Sequence, residues 1–169
     1  MLTSAFFLTV STVLAAQPPG IPKEVLAELE YRVGKWESNL LMDGKEQSSA
    51  FRELTEWGPG GQYCLRIYQT GVENGITRHG FGIVGWDPRA KQLVEHWHVS
   101  DGVYVSYRHR IDKEKNAWVG TVRYADTEGK TTEGTSVLQK KSNDEWEWKA
   151  TWVEGGKERT RGCVSRRVE

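Results

Sequence analysis

ITRHGFGIVGWDPRAKQLVEHWHVSDGVYVSYRHRID, residues 76–112, is the stretch on which the fold turns. It contains three strand-like runs, Ile76 to Trp86, Leu93 to Ser100 and Val103 to Ile111, cut by Asp87-Pro88 and by Asp101-Gly102. Asp-Gly between alternating runs is among the strongest short hairpin signals, because tight hairpin turns need positive φ and Gly adopts it freely. Within the first run, Gly80-Phe81-Gly82-Ile83-Val84-Gly85 spells G-x-G-x-x-G. As a dinucleotide fingerprint that spelling works only where a strand gives way to a helix, whose N-terminal amides meet the pyrophosphate. Here Trp86-Asp87-Pro88 follows, a strand end and a turn, and no βαβ unit surrounds it. Nucleotide binding is rejected. The glycines read as small residues that allow strong coiling of the strand or close approach of the N-terminal helix.

The same grammar extends in both directions. Upstream, Trp36 to Met42 leads to Asp43-Gly44, Ser48 to Trp57 leads to Gly58-Pro59-Gly60-Gly61, and Tyr63 to Thr70 leads to Asn74-Gly75. Downstream, Asp112–Asn116 precedes Trp118 to Ala125, Thr131 to Lys140, Trp146 to Glu154 and Arg159 to Arg166. The one helical pattern stands before all of them: Pro22, then Val25, Leu26, Leu29 and Val33, ended by Gly34. Ten consecutive hairpin-linked strands expose edges unless they close on themselves, and closure gives an all-β, up-and-down antiparallel barrel preceded by one short helix. A flat sandwich needs longer crossover connections than these. A barrel of this size encloses a small-ligand cavity or fills itself with large side chains.

Composition agrees. The chain has 169 residues, 23 Lys+Arg against 23 Asp+Glu, and 37% hydrophobic residues. Zero formal net charge argues against a dedicated nucleic-acid binder, which needs clustered cations for phosphates. Eighteen Gly and eight Trp favour strands and tight turns. Residues 1–16 read as a signal peptide: Leu2 to Ala16 is uncharged and mostly apolar, with Val13 and Ala15 suited to cleavage near Ala15 or Ala16. The run is shorter than the roughly 20 residues of a membrane-spanning helix, so no transmembrane segment is expected in the mature chain. An exported protein, periplasmic or secreted, with a single barrel domain over residues 17–169 is the resulting expectation. In an oxidising compartment Cys64 and Cys163 could pair, but the barrel order puts them on strands that are not neighbours, which favours two buried free thiols.

A family resemblance rests on named residues. Leu29-x3-Val33-Gly34-Lys35-Trp36 resembles the Gly-x-Trp opening of lipocalin-like (calycin) barrels, in which the Trp closes one barrel end. Val33-Gly34-x-Trp36, Gly60-Gly61-x-Tyr63 and Gly80-x-Gly82-x2-Gly85-Trp86-Asp87, followed by Lys91 and Trp97, also resemble, in order, a bacterial family of lipocalin-like proteins with no established activity. The resemblance covers most of the mature chain and implies the barrel and, at most, a small-ligand role. It also implies that a late Arg, Arg161 or Arg166, stacks on Trp36. Haem-binding relatives use an axial His near the C-terminus; this chain has no His after His109, and no cofactor is expected.

Candidate site residues come from strand parity. A two-residue loop at Asp101-Gly102 pairs His98 with Val105 and His96 with Tyr107, placing His96, His98, Tyr107 and His109 on one inward face. Glu95 then faces outward opposite Arg108, while Leu93, Trp97 and Val99 fall on the charged side without explanation. A three-residue loop reverses the facing of the two strands and separates His96 from His109. His98 and His109 lie about 13 Å apart in the expected register, too far to share a zinc ion, so no metal site is assigned. Trp146, Trp148 and Trp152 share one face of their strand and suit a flat apolar ligand or simple packing. G-x-S-x-G, H-E-x-x-H and C-x-x-C are all missing from the sequence. The reading is an exported barrel holding a small, mostly apolar or aromatic molecule, contacted by His96, His98, Tyr107, His109, Trp146, Trp148 and Trp152. The alternatives are an enzyme using lumen histidines, with or without metal, and a structural barrel with a packed core.

Overall fold

Pro22 fixes φ at the start of the first helix, α1 (Lys23–Arg32), and Val25, Leu29 and Arg32 form its buried stripe. The computed structural model describes residues 20–168 apart from 60, 62 and 74; the signal-peptide assignment of residues 1–16 lies outside the described residues. Val33 is already extended, and Gly34 opens the first strand at φ +134 rather than capping the helix. The positive φ favours glycine there, and an added Cβ would stand 2.4 Å from Arg167 Nη1, which would have to shift.

Ten strands follow: β1 (Gly34–Met42), β2 (Lys45–Trp57), β3 (Cys64–Glu73), β4 (Ile76–Asp87), β5 (Gln92–Val99), β6 (Tyr104–Asp112), β7 (Ala117–Ala125), β8 (Thr131–Lys140), β9 (Glu145–Glu154) and β10 (Lys157–Val168). Each pairs with its sequence neighbour, and β10 pairs with β1, so the sheet closes without an edge. The expected class, an all-β up-and-down antiparallel barrel of ten strands behind one short helix, is the observed one. Among the described residues no helix is long and apolar enough to cross a membrane.

Alternation along the strands sends one set of side chains inward. At one end the set is packed solid by Trp36, Leu65, Ile67, Val84, Leu93, Trp118, Leu138 and Trp146 around Val25 and Leu29 of α1. The helix is tied across this end by donors from the barrel: Trp118 Nε1 to Glu28 at 2.9 Å, Trp57 Nε1 to Glu30 at 2.8 Å, and Lys140 Nζ to Glu28 at 2.8 Å. Trp36 is fully buried in this end. The cation stacked on it is Arg167, 4.2 Å from the ring, with Nη1 donating to Val33 O and Nη2 to Tyr31 O. Arg161 and Arg166 do not make that stack. Arg161 lines the lumen and Arg166 pairs outside with Glu145. Parity is the reason, because Arg161, Cys163 and Arg167 share the inward face that Arg166 cannot reach.

The decisive correction is the β5–β6 turn. At Asp43-Gly44 and Gly155-Gly156 both central residues have positive φ, and the loops contain two residues. At Asp101-Gly102 only Gly102 does, at φ +87, and Ser100 joins the loop: Gly102 N donates to Val99 O and Val99 N to Val103 O, each at 2.9 Å. The three-residue loop sets Glu95 opposite Tyr107 and Trp97 opposite Val105. Leu93, Glu95, Trp97 and Val99 therefore face inward, and His96 and His98 face outward. Burial of Leu93, Trp97 and Val99 outweighs that of two imidazoles, since apolar area contributes roughly 25 cal/mol per Å². Cys64 and Cys163 are free thiols on strands separated by β1 and β2, half-buried rather than fully buried.

Candidate functional site

Between the packed end and the loops at the other end the barrel encloses a cavity of about 380 Å³. Its wall is mostly aromatic and aliphatic: Trp97 on β5, Tyr107 on β6, and Trp146, Trp148 and Trp152 on β9, with Leu40, Phe51 and Val122. Of the expected ligand contacts, Tyr107, His109, Trp146, Trp148 and Trp152 line this cavity together. His96 and His98 do not. They lie on the outer surface, where both rings pack against Tyr104.

Trp97 explains Gly80 and Gly82 of the glycine run; nothing lies within 4 Å of a Cβ added at Gly85. An added Cβ at Gly82 would stand 2.8 Å from the Trp97 ring, and one at Gly80 would stand 3.2 Å from it. The glycines let the indole lie flat against β4, so the close approach is by a cross-strand ring and not by the helix. Gly82→Ala is expected to push this ring into the lumen, costing about 1–3 kcal/mol and shrinking the cavity. Chemical denaturation and Trp97 ring shifts in NMR spectra check it; an unchanged spectrum would refute the contact.

The floor of the cavity is charged. Arg32 enters from the last turn of α1, buried to 3% exposure, and donates from Nη2 to Glu53 Oε1 at 2.9 Å. Thr55 Oγ1 donates to the same oxygen. The guanidinium lies 4.4 Å over the Trp146 ring and 5.9 Å from that of Trp118. Glu95, 5% exposed, accepts from Trp97 Nε1. Burial pushes its carboxyl above the ordinary range, partly opposed by Arg32 and by that indole donor. At the other end Glu73 Oε2 accepts from Arg78 at 2.8 Å and from Arg161 at 3.2 Å, and Arg78 also pairs with Asp101.

His109 is 1% exposed and stacks on Tyr107 at 5.5 Å. Its Nε2 meets Ser136 Oγ at 3.0 Å, a hydroxyl that also accepts from Trp148 Nε1 at 3.0 Å. Its Nδ1 has no partner among the described residues, nor has Trp146 Nε1. Burial, with Arg32 second, lowers the imidazole from 6.5 to about 4, so His109 is neutral at physiological pH. Burial raises the Tyr107 phenol and pushes the Cys163 thiol up to about 11. Neither a neutral His of low basicity nor a protonated thiol is an activated group at neutral pH. What the arrangement does chemically is present hydrogen-bonding groups inside an apolar chamber. Among the described residues no group of three or more His, Cys, Asp or Glu is placed to hold a metal.

Arg32, Glu53, Glu95 and Trp97 are the site residues that sequence reasoning missed. The signal for two of them was present: Leu93, Glu95, Trp97 and Val99 keep a period of two with more apolar area than His96 and His98. Arg32 continues the stripe of Val25 and Leu29 at helical spacing.

No protein-family model matches the chain, and no curated protein does. Among solved structures the chain is similar to that of EF1p2_mFAP2b bound to DFHBI, with a TM-score of 0.45 and 10% identity over 82% of this chain and 95% of that one.

Proposed function

We propose that the chain is an exported carrier: a lipocalin-like barrel, a single domain over residues 17–169, that holds one small and mostly apolar molecule in its lumen. The observation that carries the reading is the cavity of about 380 Å³, walled by indoles and edged by two buried polar atoms with no partner among the described residues. That volume lies in the range of about 300–1,000 Å³ of small-molecule sites, and an apolar wall with few polar groups is their usual lining. Trp148 and Trp152 supply contact area, Tyr107 a hydroxyl, and His109 Nδ1 and Trp146 Nε1 the orienting hydrogen bonds. Affinity comes from apolar area removed from water at roughly 25 cal/mol per Å². The apolar run Leu2 to Ala16 supports export.

Titration of tryptophan fluorescence against a panel of aromatic metabolites, lipids and tetrapyrroles is expected to give saturable quenching by at least one class. Trp148→Ala is expected to weaken that binding about tenfold, equivalent to about 1.4 kcal/mol for one aromatic wall. A panel without any saturable binder counts against the carrier. Export is checked separately: the full chain expressed in a bacterium is expected outside the cytoplasm with an N-terminus near Gln17, and a cytoplasmic chain retaining Met1 would overturn it.

A further inference from the structure

We propose that the lumen selects an organic monocation, an aromatic or branched apolar body bearing one ammonium or amidinium group, seated with its charge at Glu95. The inference rests on the carrier reading and specifies its ligand class.

Charge balance inside the barrel is the first observation. The floor holds two buried carboxylates, Glu53 and Glu95, and one buried guanidinium, Arg32, whose hydrogen bond goes to Glu53. Glu95 is left with an indole donor from Trp97. The arginines at the other end do not make up the difference, because Arg78 and Arg161 are both bound to Glu73 and Arg78 also to Asp101. Glu133 and Glu154, which also border the cavity, are exposed, and Glu133 pairs with Arg123, so the unbalanced buried charge is the one at the floor.

The wall is the second observation. Indole faces attract cations through their quadrupole, more strongly where water is excluded. This barrel already uses that attraction once, with Arg32 lying over Trp146 at 4.4 Å. Trp97, Trp148 and Trp152 offer further indoles on the cavity wall. A third observation points to the same ligand. His109 Nδ1 is buried without a partner on this cavity, and a neutral imidazole nitrogen can accept an ammonium N–H.

The alternatives are disfavoured by the same chemistry. An anion would meet Glu53 and Glu95 in a medium where like charges repel strongly. A neutral molecule leaves Glu95 either protonated or unpaired, at the desolvation cost of a buried charge. A cation replaces that proton and restores neutrality.

Calorimetric titration of the folded protein with three probes of one shape tests the proposal: 1-naphthylmethylammonium, 1-naphthalenemethanol and 1-naphthoate. The expected order is ammonium first by about tenfold over the alcohol, and naphthoate weakest. Glu95→Gln is expected to cut the ammonium's preference over the alcohol from about tenfold to within about twofold, as suits a change that deletes one charge and keeps the shape. If the alcohol or naphthoate binds as tightly as the ammonium, the cation proposal is overturned and the carrier stands. If Glu95→Gln keeps the ammonium preference, the assignment to Glu95 is overturned. Should none of the three bind saturably, the cation proposal is overturned, and the carrier is judged by the fluorescence panel. The wild-type ranking decides the question even if the variant does not fold.

Discussion

Replacing Arg32 by methionine is expected to cost about 3–5 kcal/mol of stability at pH 8, the range found when one partner of a buried ion pair is removed. The side chain is 3% exposed and Glu53 opposite it 2%, so water cannot take over the role of the guanidinium. Its loss leaves Glu53 and Glu95 together on the floor of the lumen with no buried cation beside them. It also removes the cation from the Trp146 face. Methionine refills most of the volume, so the penalty is chiefly electrostatic. That origin gives the loss a pH signature. A carboxyl whose pKa is raised by folding holds its proton more tightly in the folded state, so stability falls as pH rises through the folded pKa. Glu95 is already raised in the intact protein, and without Arg32, which lowers it, the rise grows. Urea denaturation should therefore show a smaller deficit at pH 5 than at pH 8. Adding Glu53→Gln and Glu95→Gln to Arg32→Met should recover most of the loss, because replacing every charged member of a buried cluster is far less damaging than removing one. An Arg32→Met protein as stable as wild type at pH 8 would show that the pair is not buried as described.

This cluster also marks the border of what the sequence discloses. The barrel is legible because it is written locally: each turn carries Gly, Asn, Asp or Pro at the position its backbone needs, and each strand keeps its own alternation. Closure follows from having no edge to leave open. The facing of β5 against β6 turns on a single residue. Asp101-Gly102 fits a two-residue and a three-residue loop equally well by composition, and the choice between them inverts every side chain of β5 relative to β6. What separates the two is the placement of Leu93, Trp97 and Val99, large apolar residues that the shorter loop leaves on the charged face. The Arg32–Glu53 pair and the proximity of Glu95 are of another kind. They join a helix end to β2 and β5, and no local pattern announces a contact between residues brought together only by closure of the sheet. The glycines of β4 are similar. Their spacing is visible, but the ring they make room for belongs to the next strand.

Acid is expected to unfold the protein early, with His109 as the largest single contributor. Its imidazole falls from 6.5 to about 4 on folding, first through burial and then through the positive charge of Arg32. A base whose pKa is lowered by folding is bound by protons more readily in the unfolded chain. Its contribution is therefore fully present above about pH 6.5 and is lost progressively as the pH falls towards 4. At about 1.4 kcal/mol per pH unit, the loss across that window is about 3 kcal/mol. Glu95 works in the opposite sense, since its raised carboxyl favours the folded state as it takes up a proton, so the acid limb is shallower than His109 alone would make it. The discriminating variant is His109→Phe. Phenylalanine keeps a ring against Tyr107 and Trp118, and Ser136 Oγ still accepts from Trp148 Nε1. Stability measured by urea denaturation at half-unit steps from pH 7 to pH 4 should decline in the wild type and decline much less in His109→Phe, which has no group to protonate at that position. Equal acid slopes in the two proteins would mean that another group carries the transition, and that the imidazole is not held neutral between Tyr107 and Ser136.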